Sequence, residues 1–160
     1  MAIVACSPGT AQTIVAKQIC FTKATTNHKA LYDKTLSAPH SKLVRHLEPV
    51  DFFDPAALGR RVDFIHLGEL LRESGHNSLE PVVAEVVRQC VETKPSVVVI
   101  DSAKALRDFA DEQALRTALY DLASRVAHTD ALLLLVGEWT PQEIESSVEF
   151  SLADGIVQVV

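Results

Sequence analysis

Apolar positions in this chain form two kinds of stretch that alternate, short unbroken runs and longer segments in which apolar residues recur every three or four positions. Residues 2–13 read as a buried strand, a tight loop and the first turn of a helix, whose stripe is Val15, Ala16, Ile19 and Cys20. Residues 29–36 predict a second strand. Pro39 then opens a helix through His46, with Leu43, Val44 and Leu47 facing inward. A loop over residues 51–55 and a short helical turn lead to a third strand at residues 62–66. Ser78 is placed to cap a helix in which Leu79, Val82, Val83, Val86, Val87, Cys90 and Val91 keep helical spacing throughout. After Pro95, residues 97–100 form a fully apolar strand closed by Asp101, as expected of a parallel strand covered on both faces. Asp111 caps a further helix with Leu115, Ala118, Leu119, Leu122, Ala123 and Val126 on one stripe, and residues 131–136 and 156–160 are the last two strands.

Strands separated by helices of this length cannot be hairpins. They predict an α/β three-layer sandwich, a mostly parallel sheet with right-handed crossovers and helices on both faces, in one domain spanning residues 1–160. Ligands in such sheets bind beyond the carboxyl ends of the strands. The groups expected there are residues 6–13, residues 37–40, Asp101, Ser102 and Glu138.

Composition narrows the functional classes. A net charge of -6 lacks the basic footprint of a nucleic-acid binder. No apolar run approaches the length of a membrane span, and no charged segment followed by an apolar one marks a secretory leader. Cys6, Cys20 and Cys90 are odd in number and widely spaced, so neither a disulfide framework nor a zinc site is indicated and a reducing, cytoplasmic setting is expected. His28, His46, His66, His76 and His128 show no metal-ligand spacing.

The strand–loop–helix at the start has the layout of a phosphate-binding loop, G-x-x-x-x-G-K-[ST], in which backbone N–H groups cradle phosphates, the lysine neutralises them and the hydroxyl holds Mg²⁺. Pro8, Gly9 and Thr13 fit that pattern, whereas Cys6, Ala11 and Gln12 replace both glycines and the lysine. Four stretches extend the likeness: SPGT at 7–10 running into TIVA at 13–16 and QICF at 18–21; KALY at 29–32 with TLS at 35–37; VVVIDSAKA at 97–105; and EFSLADGI at 149–156. On these residues the chain resembles the KaiC-like branch of the RecA-type P-loop ATPases over nearly its whole length. The resemblance implies a lead-in segment before the first strand, so a trimmed domain is expected.

The resemblance further implies ATP and Mg²⁺ as cofactors, bound by the loop of Ser7, Pro8, Gly9, Thr10, Ala11, Gln12 and Thr13, with Thr13 and Asp101 handling the metal. It also implies a glutamate that polarises the attacking water, and the aligned position is Ala38. Gln12 removes a cation facing several negative oxygens, a loss of roughly 1.5–3 kcal/mol for the charge-assisted hydrogen bond alone, and a Cβ at Ala11 obstructs close backbone approach. The expectation is a disabled site that binds no cofactor tightly and does not hydrolyse ATP. The helix start still favours phosphate or sulfate. Since ATP sits at subunit interfaces in intact ring-forming relatives, a monomer or homodimer is expected in place of a ring.

Cys6, Ala11, Gln12 and Ala38 all fall in the expected site, and Asp33 and Lys34 are charges within a strand that should be covered. Drift in an idle pseudoenzyme and redesign of an ATPase scaffold both produce such clustering; its concentration favours redesign. An alternative function follows from redesign, a catalyst with Cys6 or Lys34 as nucleophile and His40 as base, acting by ester hydrolysis or Schiff-base chemistry. A third alternative is a non-catalytic interaction module.

Overall fold

The computed structural model describes residues 1–7, 12–36 and 40–160. Six strands form one sheet: β1 (Ala2–Cys6), β2 (Ala30–Lys34), β3 (Val62–His66), β4 (Val97–Asp101), β5 (Leu132–Glu138) and β6 (Gly155–Val159). Their order across the sheet is β3-β2-β4-β5-β1-β6, and every neighbouring pair is parallel. The helices are α1 (Gln12–Lys23), α2 (His40–Leu47), α3 (Gly68–Glu73), α4 (Glu80–Thr93), α5 (Glu112–Ala127), α6 (Pro141–Ser146) and α7 (Val148–Ser151). Two 3₁₀ segments, Pro55–Ala57 and Ala103–Asp108, follow α2 and β4 respectively.

Alternation along the strands builds two cores. Val4, Tyr32, Val97, Val99, Leu134 and Val136 meet Ala16, Cys20 and Phe21 of α1 and Leu43 and Leu47 of α2. On the opposite face Ile3, Leu31, Val98, Ile100, Leu133 and Leu135 meet α3, α4, α5 and α7. The result is the expected three-layer α/β architecture. The central strands are apolar on both faces because each face carries a helix layer. β6 lies beyond β1 at the edge of the sheet, with Ile156 and Val157 about half exposed.

Several local expectations change. β2 ends at Lys34 rather than residue 36, because Thr35 turns to bond the segment after β4. Ser78 does not cap α4. The cap is Leu79, which makes no side-chain cap bond and is held instead by burial in the core. Val91 leaves the stripe and is exposed, since it stands 100° round the helix from buried Cys90. β5 runs two residues further than expected, to Glu138, because pairing with β1 continues through Cys6 opposite Glu138. Asp111 caps α5 as expected, its carboxylate accepting from the Ala114 amide at 2.8 Å. The stripe of α1 is rotated: Gln12, Ala16, Lys17, Cys20 and Phe21 are its buried residues, so a lysine faces the sheet.

Candidate functional site

The connection from β1 crosses to β2 on the α1 face, whereas those leaving β4 and β5 pass over the opposite face. A crevice therefore opens at the carboxyl ends of β1, β5 and β4, the place where such sheets bind ligands. A cleft of about 550 Å³ lies there, lined among others by Gln12, Thr13, Asp101, Lys104, Arg107 and Glu138. Pro8, Gly9, Thr10, Ala11, Ala38 and Pro39 lie outside the described residues, as does the side chain of His40.

Thr13, in the first turn of α1, donates its hydroxyl hydrogen to Asp101 Oδ2 at 3.3 Å. The same oxygen accepts from the Tyr32 hydroxyl at 2.5 Å. Burial, followed by the adjoining Asp101 charge, raises the Tyr32 phenol well above its ordinary range, so this hydroxyl stays a donor. Thr35 fixes the backbone beyond Asp101: its hydroxyl donates to the Ser102 carbonyl and accepts from the Ser102 amide, each at 2.9 Å. The acid at the end of β4 is thus held from two sides.

Lys17 stands one turn beyond Thr13, is 4% exposed, and has its ammonium 6.0 Å from the Tyr32 ring centroid. Its pKa is lowered from the ordinary lysine value by burial first and by the charge of Lys34 second, with Asp101 opposing both. Lys34 is half-buried and directly opposite Asp101 in the β2–β4 register, so both side chains leave the sheet toward α1. Sequence reasoning passed over Lys17 because the assumed helix stripe placed it one position off the inner face.

The other side of the cleft is lined by paired side chains, although the buried Gln12 Oε1 has no hydrogen-bond partner. Gln12 Nε2 donates to Glu138 Oε1 at 3.2 Å, across the junction of β1 and β5. Lys104 is paired with Glu143 at 2.7 Å. Arg107 grips Glu149 with both prongs, Nε to Oε1 at 2.8 Å and Nη2 to Oε2 at 2.6 Å, and Glu149 is fully buried. Arg107 and Glu149, far apart in sequence, were also not among the expected site residues, although Glu149 opens one of the stretches singled out above.

Cys6 is placed at the end of β1, but its thiol is buried and donates to the Gly137 carbonyl at 3.9 Å. Gly137 is open to nothing larger: a Cβ there would lie 2.7 Å from the Trp139 ring, which covers the end of β5. Ser7 is exposed beside it.

Two carboxylates of the cleft lie near the first turn of α1, Asp101, whose Oδ2 accepts the Thr13 and Tyr32 hydroxyls, and Glu138, which accepts from Gln12. No group of three or more His, Cys, Asp or Glu able to hold a metal occurs among the described residues. Both cations lining the opposite wall are neutralised by glutamates. Among the described residues no helix is long and apolar enough to cross a membrane. No protein-family model matches the chain, and no curated protein matches it significantly.

Proposed function

We propose that this chain is a KaiC-like, RecA-type P-loop domain whose nucleotide site is disabled, so that it holds phosphate groups weakly and does not hydrolyse ATP. One observation carries the reading. At the crevice the hydroxyl–acid pair of Thr13 and Asp101 is retained, while the neighbouring position 12 offers an amide already hydrogen-bonded to Glu138 in place of a free cation. A polyphosphate entering there meets the carboxylates of Asp101 and Glu138 with no unpaired cation on the Lys104–Arg107 wall to offset them. Ala38 stands where the resemblance implies the water-polarising glutamate, so an attacking water lacks its base.

The catalyst reading is supported less well. Cys6 is packed against a carbonyl, with no histidine or carboxylate hydrogen-bonded to it among the described residues, an environment suited to a small core residue rather than a thiolate nucleophile. A monomer or dimer in place of a ring goes with this reading, because the resemblance implies ATP at the subunit interfaces of ring-forming relatives.

Phosphate release from Mg-ATP by the purified chain is expected to equal that of its Asp101→Asn variant, both at the background rate. Turnover that disappears on changing Thr13 or Asp101 would overturn the proposal.

A further inference from the structure

Gln12 opens α1 and lines the cleft, yet it is 6% exposed and its Oε1 has no hydrogen-bond partner. The bond from Nε2 to Glu138 fixes which way the amide faces, because a carboxylate takes the NH₂ end, and the oxygen is left without a donor. An orphaned amide oxygen in a buried position is costly, and a methionine would fill similar space without that cost. Around it the cleft is lined by the carboxylates of Asp101, Asp108, Glu138 and Glu143 and by two cations, Lys104 and Arg107. Both cations are paired with glutamates, Lys104 with Glu143 at 2.7 Å and Arg107 with Glu149 at 2.6 Å. Asp101, Asp108 and Glu138 make no ion pair among the described residues; Asp101 accepts from hydroxyls and Glu138 from the Gln12 amide. Lys17 and Lys34, on the α1 side of Asp101, do not line the cleft. Leu36 and Ala105 add apolar surface to the same cavity.

We propose that this cleft binds a small organic cation, a guanidinium or primary ammonium group on a short aliphatic chain. This builds on the reading of the crevice as a disabled nucleotide site and names the ligand class that the altered cleft takes in place of a nucleotide. The N–H groups of such a head supply the donor that Gln12 Oε1 lacks and bond the neighbouring Glu138 carboxylate, for which a guanidinium has the matching fork geometry. Asp101 and Asp108 add negative charge to the same cavity, and Leu36 and Ala105 offer the methylenes an apolar surface. The start of α1 opposes a cation, but it amounts to roughly half an elementary charge against three unpaired carboxylates. A metal ion fits less well than an organic cation, since no group of three or more His, Cys, Asp or Glu able to hold one occurs among the described residues and the orphaned amide oxygen calls for a hydrogen-bond donor.

The test is a titration of agmatine, which carries a guanidinium and an ammonium on a butyl chain, into the isotopically labelled chain, followed by NMR through the Gln12 side-chain NH₂ and the amides of residues 101–108 and 137–138. Saturable shifts at those positions are expected, with about tenfold weaker binding by Glu138→Gln. Sodium or magnesium chloride at matched ionic strength should not reproduce them. The Ala11→Gly/Gln12→Lys chain should lose agmatine, because a lysine ammonium then stands where the orphaned oxygen was. Non-saturating shifts spread over the acidic surface, shifts reproduced by either salt, unchanged affinity in Glu138→Gln, or agmatine binding kept by the double variant would each overturn the proposal. The salt comparison uses the unaltered chain, so it stands whatever the substitutions do to folding. If agmatine does not bind the parent while the double variant binds Mg-ATP, the cation site is refuted and the disabled-site reading survives. If agmatine binds the parent and the double variant binds no Mg-ATP, the cation site stands and the disabled-site reading fails.

Discussion

At pH 7 the Asp33→Asn chain is expected to be more stable than the parent by roughly 2–4 kcal/mol, a gain that shrinks toward zero near pH 4. Asp33 is fully buried in β2, and neither of its carboxylate oxygens has a hydrogen-bond partner. It shares the parity of Leu31, so it leaves the sheet toward α4, where Glu85 adds like charge and Gln89 and Cys90 are buried. Burial, followed by the Glu85 charge, pushes its pKa from 3.8 up to about 8. Between those two values the folded chain keeps a proton that the unfolded chain has released. Stability is then fully present below pH 3.8 and falls as pH rises through the window toward 8, at about 1.4 kcal/mol per pH unit for this group. An amide fills the same space and carries no proton to lose, which removes the slope. Urea denaturation of both chains at pH 5, 6, 7 and 8 measures the difference, equivalent to about 5–15 °C in Tm at neutral pH. Equal pH slopes for the two chains, or a less stable Asn variant at pH 7, would contradict this.

Arg107→Met is expected to cost about 2–3 kcal/mol. Glu149 is fully sealed from solvent, so removing the guanidinium leaves a buried carboxylate with its principal partner gone, the situation in which broken ion pairs are most expensive. The figure sits below the range for fully buried pairs because the Arg107 side chain is 36% exposed, and water can approach the gap. The pair joins the 3₁₀ segment after β4 to α7 after β5, so its loss loosens the wall of the cleft as well. Adding Glu149→Gln to Arg107→Met should recover part of the loss, and the double-mutant cycle measures that coupling. A cost under about 0.5 kcal/mol would place the pair with ordinary surface salt bridges and refute the argument.

Most of the sheet was legible because its strands are unbroken apolar runs and its long helices carry periodic stripes. Residues 97–100 could only be a covered strand, and the Asp111 cap announces α5 three residues before the amide it binds. The short helices α3, α6 and α7 were not, since six or four residues hold no full amphipathic stripe. For α6 a usable signal existed, the capping box of Thr140 and Glu143. Asp33 and Lys34 stood out in the sequence as charges in a covered strand, but only the sheet's two-sided packing assigns one to α4 and the other to α1. Thr13 and Asp101 were paired through the family resemblance before the structure brought them together. Lys17 was invisible because a one-residue error in the helix stripe moves a side chain by 100°, from the solvent face onto the sheet.

Under the proposed function Gln12, with its neighbour Ala11, switches the nucleotide site off. Calorimetric titration of Mg-ATP into this chain and, in parallel, into its Ala11→Gly/Gln12→Lys variant tests it most directly. Restoring a charge-assisted contact worth about 1.5–3 kcal/mol should tighten binding by at least about tenfold. Weak or undetectable heat for the parent with clear binding by the variant is the predicted result; a variant that binds Mg-ATP no better than the parent would contradict it.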